Sequence, residues 1–150
     1  LNTLNSAGQE PYHHSGPSIR HTILYTQNHN RYVSMRARNT TETLITRPVK
    51  VSGASLHLNI DANRGPVRVG IAPAEPVPTY DGTVPSDAPH LRYQHLLKGF
   101  GFEDCETIRV NSTQHTVKFK SASVASLKGR EVVLLFEMND AELYGFRFGD

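Results

Sequence analysis

Leu56-His57-Leu58-Asn59-Ile60-Asp61 alternates apolar and polar side chains without a break, and after Ala62-Asn63-Arg64-Gly65-Pro66 the stretch Val67-Arg68-Val69-Gly70-Ile71 resumes the alternation. A period of two sends successive side chains to opposite sides of a strand, so each apolar set lines one face of a sheet. Asn63-Arg64-Gly65 has the composition of a turn. The segment therefore reads as a β-hairpin with one buried and one solvated face.

Working outward, the same pattern recurs in both directions. His21 to Thr26 and Arg31 to Ala37 form two further strands around the polar tetrad Gln27-Asn28-His29-Asn30. The run Thr43 to Val51 contains Pro48, which cannot donate to a ladder and so marks an edge or a bulge. From Pro73 to Lys98 the alternation stops, because Pro73, Pro76, Pro78, Pro85 and Pro89 forbid a regular strand or a long helix, and only Ala88 to Lys98 has room for a short one. A connection of this length is usually functional or mobile. Alternation returns at Phe100, Phe102, Val117 and Phe119, with Gly99-Phe100-Gly101-Phe102 read as strand. It continues through Val132-Val133-Leu134-Leu135-Phe136 and Leu143-Tyr144-Gly145-Phe146-Arg147-Phe148, with turns at Gly129 and Asn139-Asp140. The fold expected is all-β: an antiparallel two-sheet β-sandwich, jelly roll being the favoured topology, with one long irregular loop at about residues 73–98. Residues 1–18 read as a linker or the tail of a preceding domain, and residues 19–150 as the sandwich.

Composition agrees with one folded domain. The chain has 150 residues, 37% hydrophobic and 20% charged, with 16 Lys and Arg against 14 Asp and Glu. A net charge of +2 creates no strong field for nucleic acid or an anionic membrane, and no apolar run is long enough to span a bilayer. The single cysteine, Cys105, excludes an intramolecular disulfide and reads as a buried thiol. The absence of an initial Met suggests a fragment or a processed product.

Three stretches carry a resemblance. RYVSMRARNTTETLITRPVKVSGASLHLNIDANRGPVRVGI at residues 31–71, GFGFEDCETI at 99–108 and LKGREVVLLFEMNDAELYGFRF at 127–148 resemble, in order and spacing, the C-terminal β-sandwich of bacterial proteins that carry an N-terminal five-bladed β-propeller of glycoside-hydrolase type. HSGPSIRHTILYT, upstream, is similar to the strand by which the propeller hands over to the sandwich. Departures are Phe119, where the family often has Trp, and a longer loop at 73–98. The resemblance implies an extracellular or periplasmic accessory module of a carbohydrate-active protein, which binds glycan weakly or packs against a catalytic propeller in the same chain. It also implies that the catalytic carboxylates belong to that propeller.

The residues themselves contain no catalytic constellation. Acids are plentiful, yet none lies in a recognisable glycosidase pair, which needs two carboxyl groups across a cleft with one pKa raised. Glu103-Asp104-Cys105-Glu106 with Asp61 or Asp140 could supply oxygen ligands to Ca²⁺, but the spacing is that of no calcium loop, and an acidic turn is the favoured reading. His13, His14 and His21 lack zinc-ligand spacing. No cofactor and no metal is expected. Sugar recognition uses aromatic rings flanked by hydrogen-bonding groups, and the long loop offers Tyr80, Asp81, His90, Arg92, Tyr93 and His95 as candidate ligand-binding residues. The alternatives are a purely structural domain, or a lectin-like or receptor-binding protein that reads its partner with this loop.

Overall fold

The computed structural model describes Leu24 and residues 26–74 and 95–150. Eight strands occur among them: β1 (Met35–Ala37), β2 (Glu42–Ile45), β3 (Val49–Lys50), β4 (Ser55–Asp61), β5 (Val67–Pro73), β6 (Asn111–Thr116), β7 (Glu131–Met138) and β8 (Ala141–Gly149). They form two antiparallel sheets packed face to face. The first sheet runs β1-β8-β4-β6; in the second, β7 is central, with β2 and β3 along one edge and β5 along the other. The expected β-sandwich is therefore the observed architecture.

The hairpin reading of residues 56–71 is corrected. β4 and β5 do not pair: β4 lies between β8 and β6, while β5 pairs with β7 over its full length. Residues 62–66 therefore form an arch that carries the chain from one sheet to the other. β7 and β8 are related in the same way through Asn139-Asp140, where Asp140 has φ 39°. The two arches meet, because the Asn139 N–H donates to the Pro66 carbonyl at 3.1 Å and the Arg64 guanidinium lies 3.7 Å from the Asp140 carboxylate.

Pro48 breaks its run where expected. β2 ends at Ile45, β3 starts at Val49, and Thr46 bridges the gap by donating its N–H to the Leu134 carbonyl and accepting the Leu134 N–H on its hydroxyl, both at 3.0 Å. Of the run Arg31 to Ala37, only Met35–Ala37 is strand. Gln27–Asn30 does turn, with the Arg31 N–H donating to the Asn28 carbonyl at 3.3 Å and Asn30 at φ 56°. Most of the strand expected at 21–26 lies outside the described residues.

The main core fills the space between the sheets: Leu56, Leu58 and Ile60 of β4 meet Val67, Val69 and Ile71 of β5 and Val132, Leu134 and Phe136 of β7. The Phe136 ring stands 5.8 Å from that of Phe146 on β8. A second, smaller core covers the outer face of the second sheet, where Ala72, Val133 and Leu135 pack against Ile45, Leu96 and Phe102. This explains why β7 is apolar on both faces and why β5 has Gly70 and Ala72 where a wet face was expected. The described end of the long loop returns along β5, with Leu97 N–H donating to the Ile71 carbonyl at 2.8 Å and Ile71 N–H to the Phe100 carbonyl at 3.0 Å. Residues 99–104 are turns and bends rather than the expected strand. Ile108 then closes two bonds with Val67, at 2.9 and 3.0 Å. No helix among the described residues is long and apolar enough to cross a membrane.

Candidate functional site

The outer face of the first sheet is polar, and its register breaks at one residue. On the β6 side Leu58 pairs with His115 and Ile60 with Ser112, so Thr113 and Gln114 together oppose Asn59. On the β8 side Asn59 pairs with Gly145 and Ile60 with Leu143, so Tyr144 is an extra residue. Each neighbour of β4 thus carries a β-bulge at Asn59. A bulge turns two consecutive residues toward one face and bends its strand, which is how a sheet re-aims side chains beside a site.

The result is a groove of about 440 Å³ over Asn59, with the polar residues His29, His57, Thr113, Gln114 and Arg147 and the apolar Leu58 and Phe146 among its lining. Its floor is Gly145, since a Cβ placed there would meet no atom within 4 Å. One wall is the turn at 28–31, which a buttress of side chains ties to the sheet. Arg31 donates from Nε to Asn59 Oδ1 at 2.8 Å, from Nη1 to Asn111 Oδ1 at 2.7 Å and from Nη2 to the Ile60 carbonyl at 3.0 Å. Its guanidinium also lies 4.7 Å from the centre of the Tyr144 ring, within cation–π range. Asn59 returns the contact by donating Nδ2 to the His29 carbonyl at 2.9 Å. Asn111 Nδ2 donates to Asp61 Oδ2 at 2.8 Å. All three guanidinium nitrogens of Arg31 thus donate to the sheet, and Arg31 holds the groove wall rather than lining the groove.

Two carboxylates share this face, but not as a catalytic pair. Asp61 and Glu142 are cross-strand neighbours in register, rather than groups opposed across a cleft. Asp61 accepts from Asn111, and Glu142 accepts from the Tyr144 hydroxyl at 2.7 Å and the Ser34 hydroxyl at 3.2 Å, with Arg36 at 3.5 Å. The Tyr144 bond, chiefly, holds the Glu142 carboxyl below the usual glutamate range, and reciprocally pushes the Tyr144 hydroxyl up. An acid catalyst needs the opposite shift on its carboxyl. Linkage then fixes a sign. A carboxyl depressed by folding contributes stability that is complete above the ordinary glutamate range and is lost as pH falls through the folded value. Urea titrations of wild type and Glu142→Gln at several pH values should therefore show a stability difference that is flat near neutrality and shrinks in the acid range; a difference constant down to acid pH contradicts it.

The loop candidates fall differently. Tyr80, Asp81, His90, Arg92 and Tyr93 lie outside the described residues. His95 is exposed and immediately precedes Leu96, which covers the outer face of the second sheet, so it is across the sandwich from the groove. The acidic turn does not gather with Asp61 or Asp140: Asp104 Oδ2 accepts from the Gly101 N–H at 3.1 Å, and Asp61 is held by Asn111. Among the described residues no three His, Cys, Asp or Glu side chains cluster as metal ligands. His13, His14 and His21 lie outside them. Cys105 is buried, accepts the Val69 N–H at 3.3 Å, and burial pushes its thiol up, the setting of a structural cysteine.

No family model, no curated protein and no solved structure matches the chain. What the groove can hold follows from its own residues: amide, hydroxyl, imidazole and guanidinium groups beside the aromatic residues Tyr144 and Phe146, with no carboxylate in the lining. The sequence contained a signal for it. Leu143, Phe146 and Phe148 face the core, and the step of three from 143 to 146, with a glycine inside, is the mark of a bulge in a strand.

Proposed function

We propose that this chain is a non-catalytic accessory β-sandwich of a carbohydrate-active protein and that it binds glycan in the groove over Asn59. The observation that carries this reading is the pair of bulges that open a polar groove around Gly145. A sugar offers hydroxyl edges and an apolar ring face, and Thr113, Gln114 and His57 supply groups for the first while Tyr144 supplies a ring surface for the second. The resemblance of the three sequence stretches to a propeller-linked sandwich points the same way, and would place the protein outside the cytoplasm, beside a catalytic domain of the same polypeptide. The strand order supports a jelly roll: β1-β8-β4-β6 faces β2/β3-β7-β5, with residues 97–108 alongside β5 in the place of a further strand.

Filling the groove tests the reading. Gly145→Leu adds a side chain where there is open space and where the backbone does not demand glycine, so the variant should keep the wild-type melting temperature. In affinity electrophoresis against a panel of neutral and acidic polysaccharides, wild type should be retarded by at least one and Gly145→Leu by none. Retention of mobility by the wild type on every gel, or equal retardation of the two proteins, overturns the proposal.

A second reading, a domain that only packs against a neighbour, is favoured by Tyr32 and Val33, 83% and 78% exposed just ahead of edge strand β1, and by Met35, 54% exposed within it. Side chains of that size are ordinarily shielded when they cluster. On this reading the isolated chain binds no polysaccharide at all.

A further inference from the structure

The groove's charge points to a narrower ligand class, and we propose, building on the reading above, that it recognises the carboxylate of a uronic-acid sugar, with Arg147 as the residue that sets this preference. Arg147 and His57 are cross-strand partners on the outer face. Both stand over Gly149: a Cβ placed there would lie 3.1 Å from His57 Nε2 and 3.2 Å from Arg147 Nη1. The missing side chain lets the guanidinium and the imidazole come together at the end of the groove, and His57 is oriented by a 3.1 Å hydrogen bond between its Nδ1 and the Thr116 hydroxyl.

Three of the lining side chains, His29, His57 and Arg147, are basic, and none is acidic. The acids of this face are engaged elsewhere: Glu142 by Tyr144, Ser34 and Arg36, and Asp61 by Asn111 and the Asn63 N–H. Among the described residues Arg147 has no carboxylate partner, in contrast to Arg36, Arg64 and Arg68. A guanidinium presents a planar fork of donors that matches a carboxylate with two parallel hydrogen bonds. The amide group of Gln114 and the Thr113 hydroxyl, further along the groove, suit the ring hydroxyls of the same sugar.

The test uses the whole chain in gels containing polygalacturonate, with its fully methyl-esterified form as the uncharged control on the same backbone. The wild type should be retarded by polygalacturonate and not by the ester. Arg147→Ala should weaken that retardation by about tenfold or more, the loss expected for a hydrogen-bonded charge pair. Arg130→Ala removes the same charge from the turn leading into β7, outside the groove lining, and should leave retardation unchanged. Equal losses in the two variants would mean general attraction between a basic protein and a polyanion, and would overturn the proposal. Equal binding of the ester, abolished by Gly145→Leu, would overturn the acid preference while leaving the glycan groove intact; absence of binding to any polysaccharide would remove both.

Discussion

A Gly65→Ala protein is expected to melt roughly 6–12 °C below the wild type, from overpacking worth about 3 kcal/mol at about 2–4 °C per kcal/mol. A Cβ on Gly65 would lie 1.8 Å from the Asn139 carbonyl oxygen and 2.6 Å from its carbon. Those atoms are backbone and have no rotamer to yield. The two arches would have to separate, with loss of the bond from Asn139 N–H to the Pro66 carbonyl and of the Arg64–Asp140 contact. Two other glycines calibrate the measurement. Gly129 has φ 86° and nothing within 4 Å of a built Cβ, so alanine there meets only the left-handed backbone penalty of about 1–2 kcal/mol. At Gly145 neither crowding nor positive φ applies, and alanine should be nearly silent. Differential scanning calorimetry should rank the losses in the order 65, 129, 145. A Gly65→Ala transition that coincides with the wild-type one would mean that the arches do not touch as described.

Gly65 also shows what the sequence could not reveal. Asn63-Arg64-Gly65 was readable as a turn, and β4 and β5 were readable as strands, because both depend on local chemistry and period. Whether a short connection returns a strand beside its predecessor or passes it to the opposite sheet depends on which distant segments occupy the flanks. Here β8 and β6 occupy both sides of β4, and β5 is left to pair with β7. A partial clue was present in the small residues Gly70 and Ala72. They make room for Leu96 and Phe102, and a built Cβ on Gly70 would stand 3.0 Å from Leu96 and 3.1 Å from Phe102. Small side chains on the second face of a strand mark a covered face rather than a wet one.

The groove was less legible than the sheets, for a related reason. His57 and Asn59 were visible as a polar set, which is also what a plain solvated face looks like. Beyond the step of three in β8, only the register distinguishes the two, and register comes from pairing with β6 and β8, 54 and 86 positions away for the Asn59 partners Thr113 and Gly145. Arg31 was read as the first residue of a strand, yet it acts as the strut that fixes the groove wall through Asn59, Asn111 and the Ile60 carbonyl. Prolines make the long loop conspicuous in the sequence, whereas two bulges facing each other across one asparagine leave little local trace.

The largest single loss is expected from Phe136→Ala, about 3–5 kcal/mol against a total stability that for most domains is about 5–15 kcal/mol. Phe136 is completely buried at the centre of β7, the strand that β2, β3 and β5 all share. Its ring meets Phe146, which in turn meets Phe148 at 6.4 Å, so truncation opens a cavity between the sheets that neither can collapse into without moving the other. Phe146 directly follows Gly145, so the side chain that anchors β8 beneath the groove floor loses its partner at the same time. Phe136→Leu keeps most of the volume and should cost about 1 kcal/mol. Urea unfolding should show the alanine midpoint far below wild type, the leucine midpoint close to it, and one shared slope, since the surface exposed on unfolding hardly changes. Because the cavity faces both sheets, tyrosine fluorescence, to which Tyr144 in the groove contributes, and circular dichroism should report the same midpoint in every variant. A fluorescence midpoint at a lower urea concentration than the strand signal would mean that the first sheet is stable only in part through the core it shares with β7.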